Sequence, residues 1–388
     1  MKTGIFDGVR IVGAGQAVYS KRPGRNVQRL LYEAGTAALT DAGLDWHSVD
    51  GLAITCFLLP PDNAATVAEH FGIEARFLFQ GLYGGASGII GMAHAARAIR
   101  DGACDVVVVA AADAFDVAGH NATLDHFNGS VREYMSPQGF GGANGMFALH
   151  TRLYMERHGA SREDFGRFCI ALRDNAGRNP NALLRQPLTM EAYLNAKPIA
   201  DPLHLYDCVM PCIGADAVVL VSERIAHRLN GPAVRILAAE EIHNFPANDP
   251  YAVPGGWSGL AERLYARAGV EPGQIGFAQV YDDYPVMAFV QLEGLGLAHA
   301  GGAARFVREH DLTTHGDFPV NTGGGQLSAG QAGASGGMIG LYEAVAQLMG
   351  RAGARQVSHT RPCVVSGYGM VAYGRGLCSS AAILERID

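Results

Sequence analysis

A weak internal repeat constrains this chain more than any other feature. The run ASGIIGMAHA at 86–95 returns as ASGGMIGLYEA at 334–344, 248 positions later. DAGLDWHSVDGLAIT at 41–55 is echoed by RAGVEPGQIGFAQVY at 267–281 with a constant offset of 226, and GADAVVLVSE from Gly214 by GLCSSAAILE from Gly376. Each echo keeps both its turn residues and its hydrophobic period, and the three keep their order, so the repeat reads as a duplicated α/β unit rather than chance richness in Gly and Ala. A fold made of two copies has its chemistry where the copies meet.

The spacing also locates an insertion. Ala86 to Gly214 spans 128 residues and Ala334 to Gly376 only 42, so the first copy carries 86 more, expected as a loop domain over about 115–212. The halves are then 1–232 and 233–388. In the first, a strand near 9–14, a helix over 26–42 closed by Gly43, a strand over 51–56, a small-residue helix from Ser87 to about Arg100 and the buried strand CDVVVVAAAD alternate as right-handed βαβ crossovers require. In the second, the strand VRILAAEEI, a helix over 258–269 and a strand over 276–281 precede the Gly-rich stretch NTGGGQLSAGQAGASGGMIG.

Several function classes drop out. A formal charge of −7 with no Lys/Arg run argues against nucleic acid. No apolar stretch approaches the length of a membrane span, and no long signal core opens the chain, so a cytoplasmic location is expected. Seven irregularly spaced cysteines make no disulfide framework. His204, Cys208 and Cys212 are three soft ligands without a fourth, so a turn before a buried strand is expected there and no metal. GAGQAV at Gly13 fails the dinucleotide pattern at its third glycine, and 321–340 lacks the Lys and hydroxyl of a phosphate loop. The glycines instead let backbone approach a helix or a thioester carbonyl.

The stretches GMFALHTRLYMERHGASREDFGRF, NPNALL, LTMEAYLNAKPIADPLHLYDC and GADAVVLVSE resemble the loop domain and strand exit of sterol carrier protein-type thiolases and their thiolase-like relatives. The resemblance covers nearly the whole chain. It implies a duplicated thiolase fold, two βαβαβαββ halves in five αβαβα layers, with the loop domain inserted in the first half.

At the catalytic positions the chain departs from that family. The family's nucleophilic Cys opens the buried helix, where the helix dipole favours a thiolate. Here the matching run is Gly84-Gly85-Ala86-Ser87-Gly88, with Gly85 at the nucleophile's place. Ser87 has no His nearby in sequence to activate it and reads as a helix cap beside the substrate. The family's His-x-x-Phe motif falls on Tyr281-Asp282-Asp283-Tyr284, where Tyr281 offers a phenol able to polarise a thioester or take a hydroxyl proton if its pKa is lowered. Both tyrosines also read as core residues at a strand end, and Asp282 and Asp283 as either orienting carboxylates or turn formers. The Gly-His-Pro motif falls on Gly330-Gln331-Ala332, so Gln331 keeps a donor and loses the titrating ring. The second cysteine's Cys-x-Gly context falls on Ser366-Gly367-Tyr368-Gly369, leaving Tyr373 and Cys378 as candidate proton donors.

Without its cysteine a thiolase cannot form an acyl-enzyme. A pantetheine channel with donors aimed at the thioester oxygen would still stabilise a CoA enolate, which is what retro-aldol cleavage of a β-hydroxyacyl-CoA needs. The resemblance extends to Cys-less aldolases that shorten steroid-type acyl-CoA side chains with a small zinc-ribbon and OB-fold partner subunit; these have Tyr where this chain has Gln331. The expected reaction is therefore the retro-aldol, with Tyr281 as base, backbone N–H groups and Gln331 holding the enolate, and Tyr373 or Cys378 returning a proton to carbon. Gly85, Ser87, Asp282, Tyr284 and Gly369 are expected to contact the substrate. No cofactor is expected beyond the coenzyme A of the substrate itself, and a homodimer is expected to form the core of the assembly. Two alternatives stand beside this reading: an atypical thiolase or acyltransferase cleaving a β-ketoacyl-CoA through Cys378 or direct attack by CoA, and a non-catalytic acyl-CoA-binding scaffold.

Overall fold

The helix Val27–Ala42 starts at Asn26, whose side chain accepts from the Arg29 amide, and stops at Gly43 with φ 71° and ψ 27°. Its counterpart Trp257–Ala268 stops at Gly269 with φ 70° and ψ 28°. Only glycine adopts this left-handed cap without strain, so the two helices end by the same device. Single 3₁₀ turns follow at Trp46–Ser48 and Pro272–Gln274, again 226 residues apart. The repeat seen in sequence is a repeat in backbone conformation.

The computed structural model describes residues 4–22, 24–125, 128–139, 142–249, 255–359, 361–372 and 375–387. Its strands are β1 (Val9–Ser20), β2 (Gly51–Thr55), β3 (Phe77–Gln80), β4 (Val106–Ala114), β5 (Pro198–Ala200), β6 (Leu203–His204), β7 (Ile213–Ser222), β8 (Ala233–His243), β9 (Phe277–Gln279), β10 (Cys363–Ala372) and β11 (Arg375–Ile387). All but β5 and β6 join in the order β3-β2-β4-β7-β1-β8-β11-β10-β9. The halves meet where Ile11 of β1 pairs with Val234 of β8. The order is mirrored about that seam. On either side a long antiparallel pair (β7 on β1, β11 on β8) lies next to it, and a parallel pair (β2 with β4, β9 with β10) lies farther out. The strand CDVVVVAAAD becomes β4, which is parallel to β2 and antiparallel to β7, so the sheet is mixed.

Burial follows the period of two within these strands. Val107 and Val109 of β4 face inward with Val218 and Leu220 of β7 onto the helices Ser87–Arg100 and Ile339–Leu348. Val106 and Val108 face the other way, onto Val27–Ala42. In the second half Val364 and Ile383 pack outward against Trp257–Ala268. Helix, sheet, paired helices, sheet and helix are therefore stacked, as a duplicated thiolase fold requires.

Between β4 and β7 run the helices Val117–Asp125, Gly142–His158, Arg162–Gly177 and Met190–Leu194, with β5 and β6 as a small ribbon. This inserted segment packs on the second half. The ring of Phe165 lies 4.9 Å from that of Phe289, and Arg308 closes an ion pair with the buried Asp164 at 2.5 Å. It thereby roofs the ground between the halves.

Candidate active site

The two Gly-punctuated helix starts meet back to back. A Cβ on Gly337 would lie 2.5 Å from the Gly85 carbonyl oxygen, and one on Gly369 would lie 2.2 Å from the Tyr83 carbonyl oxygen and 2.8 Å from the Gly85 nitrogen. Only backbone of this thinness lets the turn Gly84–Ala86, β10 and the second-half helix start crowd together. Ser87 serves this turn, its Oγ accepting from the Tyr83 amide at 2.9 Å. It does not line the cleft that opens beside Gly85.

That cleft, about 760 Å³ with its open mouth included, is lined by Gly84, Gly85, Tyr281, Asp283, Tyr284, Gln331, Tyr368, Gly369 and the largely apolar face of the inserted segment. Tyr281 follows β9 and projects toward the helix start. Its ring lies against Gly85 so closely that a Cβ there would be 1.9 Å from Cε2 and 2.4 Å from Cζ. The phenol thus fills the space in which a side chain at position 85 would stand. Burial raises the Tyr281 pKa well above the usual tyrosine range, Asp283 adding to the effect, so the group stays protonated and keeps an O–H able to donate to a ligand, while its oxygen accepts from Gln331 Nε2. Its hydroxyl lies 3.5 Å from Gln331 Nε2. The environment does not lower this pKa, as a base at Tyr281 would need.

Gln331 is placed by the inserted segment's return strand: its amide donates to the Met210 carbonyl and its carbonyl accepts from the Cys212 amide, at 2.9 Å and 3.0 Å. Its Oε1 is buried with no hydrogen-bond partner among the described residues. Such an acceptor beside a cleft can pair with a ligand's polar group, because a buried acceptor left unpaired costs roughly 1–3 kcal/mol. Tyr284 stacks on Phe147 at 4.2 Å between centroids and donates to Asn144 Oδ1 at 2.6 Å, which fixes the roof helix over the cleft.

Two candidates lie elsewhere, and a third is not among the described residues. Asp282 points away from the cleft, accepting from the Gln326 and Leu327 amides at 2.9 Å and 3.2 Å; it holds the loop that carries Gln331, and burial pushes its carboxyl up to about 7. Cys378 pairs with Gly369 across β10 and β11 but packs with Ala86 and Ile90, outside the cleft lining. Burial pushes its thiol up to about 11, leaving no thiolate at neutral pH. Tyr373 lies outside the described residues.

The cleft also holds groups that sequence reasoning did not select. His120 lines it from the inserted segment, edge-on to Phe115 at 5.5 Å, and burial pushes its imidazole down to about 4, so it is neutral. Met370, at the cleft wall, has φ 57°, a left-handed conformation that costs a side-chain-bearing residue about 1–3 kcal/mol. No residue pattern marks either one, since both reach the cleft through tertiary placement.

Residues 248–386 match the family described as Thiolase C-terminal domain-like. Over 382 residues the chain is 32% identical to a steroid side-chain-cleaving aldolase of Thermomonospora curvata, covering 94% of this chain and 96% of that one. The chain belongs to the thiolase-like aldolases of the lipid-transfer type. It is also 33% identical over 395 residues to a 17-hydroxy-3-oxo-4-pregnene-20-carboxyl-CoA lyase of Mycobacterium tuberculosis, covering 96% of this chain and 98% of that one. The structure of an Ltp2-ChsH2(DUF35) aldolase superposes with a TM-score of 0.85 at 31% identity, over 97% of each chain. Human mitochondrial 3-ketoacyl-CoA thiolase shares the fold at a TM-score of 0.71 and 16% identity.

Proposed function

We propose that this protein cleaves a carbon–carbon bond of a β-hydroxyacyl-CoA by a retro-aldol reaction through the enolate of the CoA thioester. The observation that carries the reading is the Tyr281 ring packed on Gly85, which puts a phenol donor where a thiolase's thiolate would act. No cysteine is among the described residues that line the cleft, and its polar groups suit a developing enolate: the neutral Tyr281 hydroxyl, the Gln331 amide and the backbone N–H groups of the turn at Gly85. Phe57, Phe115, Met146 and Phe147 give the acyl group apolar walls, as a steroid side chain or other bulky lipid requires.

In this reading the halves 1–232 and 233–388 share one site at their seam, and the inserted segment 115–212 roofs it. Thioester, phenol and amide supply the chemistry, so the proposal calls on no separate cofactor. The assembly is a homodimer core with a small zinc-ribbon and OB-fold subunit, in the cytoplasm; it is supported by the superposition on an Ltp2-ChsH2(DUF35) aldolase and by the lack of any helix long and apolar enough to cross a membrane among the described residues. Thiolytic transfer through Cys378 is disfavoured by that thiol's protonated state and its place behind the helix start.

Kinetics on a β-hydroxyacyl-CoA test the reading. Tyr281→Phe, which keeps the ring and removes the donor, is expected to lower kcat roughly 100-fold or more, the typical effect of losing one donor to a developing oxyanion. Full activity in Tyr281→Phe would remove that residue from the mechanism.

A further inference from the structure

Asp283 is the one Asp, Glu, Lys or Arg among the described residues that line the cleft. Its Oδ1 accepts from the Tyr284 amide at 3.0 Å, and no ion pair reaches it among the described residues. Tyr281, Tyr284 and Tyr368 on the cleft wall feel its charge, Asp282 lies beside it and faces the opposite way, and His120 is the one histidine among the described residues of that wall. A carboxylate set among aromatic rings without a cation opposes folding when ionised, and an uncharged side chain would fill the place at less cost. Asp282 differs: backbone amides satisfy its carboxyl. The Asp283 carboxyl is half-buried and open to whatever occupies the cleft.

We propose that Asp283 is the proton shuttle of the reaction, taking the β-hydroxyl proton as the Cα–Cβ bond breaks and returning it to Cα. The inference rests on the retro-aldol reading above and gives it a base. As the O–H proton moves to the carboxylate, the oxygen's electron pair forms the new carbonyl and the Cα–Cβ pair passes to Cα, giving the thioester enolate. The Asp283 carboxylic acid then protonates Cα. One proton has travelled from oxygen to carbon, and no oxidant or reductant takes part. Desolvation, and then repulsion from Asp282, hold the Asp283 carboxyl well above the usual carboxylate range, which makes it a stronger base than an exposed aspartate. His120, its imidazole pushed down to about 4, is the weaker competitor.

The second half of the shuttle can be read without cleavage. Breaking the bond between C17 and C20 of 17-hydroxy-3-oxo-4-pregnene-20-carboxyl-CoA, the compound that names the Mycobacterium tuberculosis relative, leaves propionyl-CoA. The full chain is incubated with propionyl-CoA in D₂O and deuterium at its C2 is followed by mass spectrometry, with cleavage of the steroid thioester measured in parallel. Asp283→Asn is expected to slow exchange and cleavage each by about 100-fold or more while propionyl-CoA affinity stays at the wild-type value and thermal unfolding is unchanged or raised, and Asp283→Glu to recover part of both activities. Three results overturn the proposal: wild-type exchange in Asp283→Asn, a loss confined to His120→Ala, or no exchange by the wild-type chain at saturating propionyl-CoA. Exchange that depends on Asp283 without steroid cleavage instead sinks the retro-aldol reading and leaves only the second half of the shuttle, proton transfer between Asp283 and Cα. Should Asp283→Asn fail to fold, the wild-type exchange profile decides: an acid limb above the ordinary carboxylate range is expected, and a flat profile overturns the shuttle.

Discussion

Replacing Gly85 by alanine adds one methyl group at the point on which the chemistry turns. Its Cβ would lie 1.9 Å from Tyr281 Cε2, whereas carbon atoms rest at about 3.5–4.0 Å, so the ring must retreat by about 1.5–2 Å. The phenol would leave Gln331 and swing into the cleft. Forced repacking of this kind costs roughly 1–3 kcal/mol, a drop of about 1–4 °C in Tm for a chain of this size. The φ of Gly85 is not in the left-handed region, so the effect is one of space alone. A double-mutant cycle separates the two residues. Tyr281→Ala vacates the volume, and in that background Gly85→Ala should be neutral or stabilising, a coupling of at least about 1 kcal/mol. Calorimetry of the four proteins, with kcat for the two that keep Tyr281, reads it directly. Wild-type Tm and kcat in Gly85→Ala, or strict additivity in the cycle, would refute the close packing on which the site is built.

Other predictions are briefer. Cys378→Ser should keep kcat within about threefold, because the thiol lies outside the cleft and is protonated; a loss beyond about 100-fold would revive covalent transfer. Asp282→Asn should change the pH dependence of stability more than its level at acidic pH. The folded carboxyl titrates near 7, above the ordinary aspartate value of 3.8, so its contribution is fully present below 3.8 and is lost as pH rises through about 7. Thermal unfolding of the variant should fall less than that of wild type between pH 5 and 8. Tyr284→Phe loses one hydrogen bond to Asn144 and should cost about 1 kcal/mol while loosening the roof, which would show as a higher KM with kcat little changed.

Much of the architecture was legible because local rules set it. Gly43 and Gly269 cap their helices identically, and the excess length between Ala86 and Gly214 could only be an insertion. The absence of sulfur at position 85 was equally plain. What the residues alone could not show is direction. Asp282 and Asp283 are neighbours that leave the end of β9 on opposite sides, one to hold the loop and one to face the cleft. Cys378 was expected as a proton donor in the site, but its side chain in β11 packs beneath the helix start at 87. Tyr281 was expected as a base; the burial that brings it to Gly85 also raises its pKa, which favours donation. His120 lies 35 residues after Gly85 and 161 before Tyr281, with no motif to mark it.

The claim that this scaffold breaks carbon–carbon bonds through an enolate, without capturing an acyl group, is tested most directly by product and protein mass spectrometry during turnover of 17-hydroxy-3-oxo-4-pregnene-20-carboxyl-CoA. One ketone and one propionyl-CoA should form per substrate consumed, at a rate indifferent to added free CoA, with the protein mass unchanged throughout. A rate that requires free CoA, together with an acyl adduct on any side chain, would contradict it.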